Sequence, residues 1–277
     1  MYQKPTVPRS IGGVLDDSLQ LYKASLPSCW LPALLVSLIT GALSYFIFAS
    51  MPRLTAPVPP TELLTRYRAL IGEFGIWYLV VIVLTLLFYG MLVVNIAAVS
   101  REQTPTFGAS LATAARRAPA LLVASIVFGI CLAIGFILLI IPGFYLWNRL
   151  QLYMVPLVGE GQGPFRSLGS SWRAVGGNWW RTAVVVFVMF VILIVLEIIL
   201  GALAGFIAAI AGMGSGVTTN PALLIGRVQV ITVFVGAVVR IFTIPLIFAV
   251  FVALYQDLLL RKGGADLAAR LGALPKG

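Results

Sequence analysis

Histidine is absent from all 277 residues, and acidic side chains number only 9 against 19 Lys and Arg. The missing imidazole removes the commonest general base, the usual partner of a nucleophilic serine or cysteine, and most zinc sites. Glu197 is the one carboxylate deep inside an apolar run, so no acid pair is available there for intramembrane hydrolysis. Cys29 and Cys131 stand apart, with no CxxC and no His/Cys cluster, and read as small apolar side chains rather than a disulfide or metal pair. These absences predict a chain that is not an enzyme and carries no metal or cofactor.

Charge is scarce too. Charged residues make up 10% of the chain, where a soluble domain carries about 25%. Hydrophobic residues make up 60%, and no polar block interrupts the apolar runs between residues 28 and 260. A single membrane domain over 1–277 follows. The runs at 28–50, 76–99, 119–141, 142–158, 182–211 and 223–256 are candidate crossings, since roughly 20 apolar residues span the hydrocarbon core.

The net charge of +10 would suit nucleic acid if it were clustered on a soluble face. With six crossings it segregates instead. Of the 19 cations, Arg53, Arg66, Arg68 and Arg227 fall on one side, and Arg149 and Arg240 fall inside spans. The other thirteen share the side that holds both termini. The positive-inside rule then makes that side cytoplasmic, which predicts a multi-pass protein of the bacterial inner membrane that does not bind nucleic acid. Anionic lipid heads are the natural partners of the basic side. The opening MYQKPTVPRSIGGVLDDSLQLYK lacks an apolar h-region and carries Asp16 and Asp17, so the first span is expected to be retained.

Three stretches share an apolar spacing of 0, 4, 7 and 11: Leu15/Leu19/Tyr22/Leu26, Phe107/Leu111/Ala114/Ala118 and Leu168/Trp172/Val175/Trp179. Such a stripe suits an amphipathic helix lying flat among headgroups. Each stretch precedes two apolar runs, so the chain parses as three units, 10–99, 104–160 and 163–260, with a tail at 261–277. The predicted fold is all-α, with six transmembrane helices as three hairpins, each preceded by a cytoplasmic interfacial helix. The first outer turn is long and proline-rich, with Thr61 placed to cap a short helix. Pro142–Gly143 makes the second turn, and GMGSGVTTNP is a flexible third.

Within this frame Arg149, Glu197 and Arg240 fall near mid-span. An ionised group at the bilayer centre costs at least ~2.5–3.5 kcal/mol on insertion scales, so all three should face the bundle interior. Glu197 should pair with an arginine, either Arg149 or Arg240. The surplus positive charge, lined by Asn95, Asn148, Gln151 and Gln229, then forms a candidate lipid or solute site. Gly201 and Gly205 make a GxxxG that suits either internal packing or a homodimer face. Trp30, Trp77, Trp179 and Trp180 stand at span ends, as interfacial anchors do.

The stretch IPGFYLWNRLQLYMVPLVGEGQGPFRSLGSSWRAVGGNWWRT resembles the bacterial integral membrane domain associated with glycerophosphoryl diester phosphodiesterases, and the related YciC-like membrane proteins. The resemblance rests on Ile141-Pro142-Gly143, Arg149, Pro156, Glu160-Gly161, Ser171-Trp172-Arg173 and Gly177-Asn178-Trp179, with SIGGVLDDSLQLYKAS as a similar opening helix. It implies a helical membrane fold. Only 17 residues follow Leu260, so the catalytic domain of the phosphodiesterase members has no counterpart here. The reading is a non-catalytic membrane protein, accessory, regulatory or lipid-organising. The alternative is a small transporter or lipid-handling protein that uses the buried charge set.

Overall fold

The computed structural model describes residues 2, 4–50, 59–213 and 221–272. Helix dominates, and no strand occurs among the described residues. The long helices are α1 (Ile11–Ser50), α2 (Pro60–Val99), α3 (Phe107–Leu138), α6 (Trp179–Met213) and α7 (Pro221–Gly272). Between α3 and α6 lie two short ones, α4 (Ile140–Leu150) and α5 (Pro164–Val175). Among the described residues, 5 helices are long and apolar enough to cross a membrane. The expected fourth span, 142–158, is not a regular helix. It is the 11-residue α4, followed by a 3-10 turn at Gln151–Tyr153 and a π turn at Val155–Gly159. Pro156 sits inside that π turn, where its missing N–H and its ring disrupt an α ladder.

Two of the three expected interfacial helices do not exist as separate elements. α1 runs unbroken through Pro27 and Pro32, and α3 runs through Pro119. An internal proline deletes one hydrogen bond and stops a helix only when nothing replaces it. Pro32 leaves the Ser28 carbonyl without its helical donor, and Asn95 Nδ2 on α2 donates to that oxygen at 2.7 Å. The third expected helix is separate: Pro164 starts α5, and Gly176 and Gly177 (φ +80°) end it. Its buried face, Ser167, Leu168, Ser171, Ala174 and Val175, packs on the bundle, while Trp172 stays partly exposed. The short helix expected at Thr61 is likewise the first turn of one continuous α2. The first outer turn at 51–58 and most of the third, at 214–220, lie outside the described residues.

The α3–α4 turn falls at extended Leu139, three residues before the expected Pro142. Pro142 instead occupies the first turn of α4, where its missing N–H is no loss. The two helices then touch backbone to backbone: a Cβ on Gly135 would lie 3.0 Å from Gly143 Cα.

α7 is the axis of the bundle. It packs most extensively along α1 and α6, and its Phe248, Ala249, Val252, Ala253, Leu254 and Leu258 are buried in the core with Leu92, Ile96, Leu121 and Leu157. Cys29 lies in that core as a small apolar residue, while Cys131 is partly buried, and both are free thiols. Large apolar side chains cover the outside of α6, among them Phe187, Ile194, Ile198 and Phe206. Trp77 and Trp180 are also exposed.

Candidate functional site

One end of the bundle is held by ions. Asp257, 1% exposed on α7, accepts from Arg181 Nε at 3.1 Å, Arg261 Nε at 2.9 Å and the Arg9 amide at 2.8 Å. The Arg9 carbonyl accepts from both guanidinium groups in return, and Arg9 Nε lies 3.3 Å from Asp17 Oδ2. Beside it the Tyr2 phenol is pushed up to about 12, first by burial and then by the Asp17 charge, with Arg9 opposing. Gln256 Nε2 donates to Ser100 Oγ, and Arg101 donates to the Gly159 carbonyl. The arginines here are spent on Asp257, Asp17 and backbone carbonyls, so this end is a clamp joining α1, α2, α6 and α7. Asp257 escaped the sequence reading because the last apolar run stops at residue 256.

Arg149 does not meet Glu197. It stands in the last turn of α4, donates to Tyr145 Oη at 2.7 Å and to the Trp172 carbonyl at 3.1 Å, and lies 4.7 Å from the Trp172 ring and 5.2 Å from that of Tyr145. No carboxylate pairs with it among the described residues. The expectation failed because it placed Arg149 by depth along a straight span. The span breaks at the next turn, and α5 folds back over the arginine. Asn148 donates to the Trp179 carbonyl and accepts from Gln151, which ties α4 to α6. Asn95 repairs α1, as described. Arg149, Asn148, Gln151 and Asn95 of the expected set are therefore joints.

Glu197 and Arg240 do come together. They line one open cavity of about 390 Å³, with Thr40 and Ser44 from α1, Tyr89 from α2, Leu193 from α6, and Thr243, Ile244 and Ile247 from α7. Glu197 is exposed and Arg240 half-buried. Neither makes a hydrogen bond or an ion pair of 4 Å or less among the described residues. Glu197 follows Arg181 by sixteen residues, and Arg240 precedes Asp257 by seventeen. At 1.5 Å per residue the cavity lies about 25 Å from the clamp along both helices, near the middle of α6. The hydroxyl lining had no sequence signal: threonines and serines inside apolar runs usually bond their own helix.

Gly201 and Gly205 face open space, since a Cβ at either would meet nothing within 4 Å. Among the described residues nothing packs on them. The Gln229 side chain lies outside what the structure describes.

Long apolar helices and an apolar exterior point to a helical membrane protein. Residues 33–258 match the family described as Domain of unknown function (DUF7847), and the chain belongs to that family. No curated protein and no solved structure matches the chain. The family match does not connect it to the phosphodiesterase-associated domain or to the YciC-like proteins.

Proposed function

We propose that this is a non-catalytic, lipid-organising protein of the bacterial inner membrane that holds a small polar group, chiefly a lipid headgroup, in the Glu197/Arg240 cavity. The observation that carries the reading is the pair of unpaired opposite charges at one opening among exposed apolar side chains. No clamp residue lines the cavity, which favours holding a ligand over passing one through and makes the small-transporter reading the second choice. In this reading 140–159 makes a sixth, irregular crossing, both termini are cytoplasmic, and the clamp lies against anionic lipid. The phosphodiesterase-associated and YciC-like resemblance is kept as a likeness of architecture, with no activity carried over. The Gly201/Gly205 face, open among the described residues, suits a second copy of the chain as a protein partner.

Lipid mass spectrometry after gentle detergent extraction tests the binding. The wild type should retain lipid that an Arg240→Gln, Glu197→Gln double variant loses, and an unchanged lipid complement would overturn the reading. Reporter fusions test the topology: the two termini should report the same side, and residues 52–58 the other.

A further inference from the structure

We infer that the ligand of this cavity is a zwitterion with a primary ammonium and an oxyanion, the chemistry of a phosphoethanolamine head. The inference rests on the proposed binding role of the cavity and specifies its ligand.

The argument starts from what each lining group still has to offer. Arg240 presents donors and Glu197 acceptors, and neither spends them on another described residue. Thr40 Oγ1 donates to the Val36 carbonyl and Ser44 Oγ to the Thr40 carbonyl, both at 2.8 Å, so these hydroxyls retain acceptor capacity. A purely anionic ligand would satisfy Arg240 and leave Glu197 as an uncompensated, repelling charge in apolar surroundings. A purely cationic ligand would leave Arg240 in the same position. A zwitterion meets both, its oxyanion on the guanidinium and its N–H donors on the carboxylate and hydroxyls.

A primary ammonium fits better than a quaternary one. Quaternary ammonium lacks N–H donors and is held by cages of aromatic rings, whereas Tyr89 is the sole aromatic residue in this lining among the described residues. The size agrees. About 390 Å³ admits a headgroup but not two acyl chains. Ile194, exposed one turn before Glu197 on α6, gives such chains an apolar surface to lie on.

Thermal unfolding in detergent, titrated with dioleoyl phosphatidylethanolamine, phosphatidylcholine or phosphatidylglycerol, tests the inference. The wild type should be stabilised by phosphatidylethanolamine at roughly tenfold lower concentration than by either of the others, the loss expected of one charge-assisted hydrogen bond. Glu197→Gln should abolish that preference while phosphatidylglycerol still binds, and Arg240→Gln should weaken the response to all three. Equal responses to all three lipids in the wild type would overturn the zwitterion yet leave a headgroup site standing. Responses unchanged in both variants would overturn the site itself. Should Glu197→Gln fail to fold, the wild-type comparison of phosphatidylethanolamine with its trimethylated counterpart decides alone. Free phosphoethanolamine identifies the source: protection equal to the lipid's means a soluble zwitterion, and protection by the lipid alone means a headgroup.

Discussion

A guanidinium laid against aromatic rings keeps its charge without a carboxylate, because the ring faces and nearby carbonyls supply the negative potential. Arg149 has that environment in Tyr145, Trp172 and the Trp172 carbonyl. Its removal should therefore be independent of Glu197. Arg149→Met and Glu197→Gln should add within about 0.5 kcal/mol in thermal stability, as unconnected sites do. Strong recovery in the double variant would mean that the two residues meet. Asp257 is the opposite case, a buried acid serving two arginines whose side chains are 15% and 27% exposed. Asp257→Asn should cost roughly 3–5 kcal/mol by leaving both cations unpaired, read as a fall in melting temperature. Single residues were legible in the sequence as charges out of place. Their partners were not, because partnership depends on where the helix bends.

Among the elements, α1 shows how a helix survives internal prolines. The Ser28 carbonyl, orphaned by Pro32, takes its proton donor from Asn95 across the α1–α2 interface. Asn95→Leu should destabilise the protein by about 1–3 kcal/mol, the cost of an unsatisfied buried acceptor. Pro32→Ala should recover most of that loss by restoring the helix's own N–H, and a double variant no better than Asn95→Leu would contradict the account. The Gly135–Gly143 contact makes a second test. Gly143→Ala puts a methyl into the Phe136 ring and should open the α3–α4 turn, lowering the melting temperature by several degrees. Apolar runs located the long helices well, since burial in lipid leaves a strong compositional trace. The interfacial stretches before spans one and three misled. Their periodicity belongs equally to the end of a longer helix, and proline alone does not set the boundary.

For the whole molecule, the clamp and the cavity divide the labour. The clamp spends its charges on one another and joins the N-terminal segment to α6 and α7, whereas the cavity about 25 Å away leaves its charges free. Arg9, Arg181 and Arg261, which the sequence puts on one side, gather at one end. The pairing of Glu197 with Arg240's cavity was half readable: the charges were visible, but the four helices that bring them to one opening were not. A structure determined in a bilayer disc containing phosphatidylethanolamine tests the central claim most directly. The account predicts a bound headgroup between α6 and α7, its phosphate on Arg240 and its amine on Glu197. A closed cavity with Glu197 and Arg240 in direct contact would contradict it.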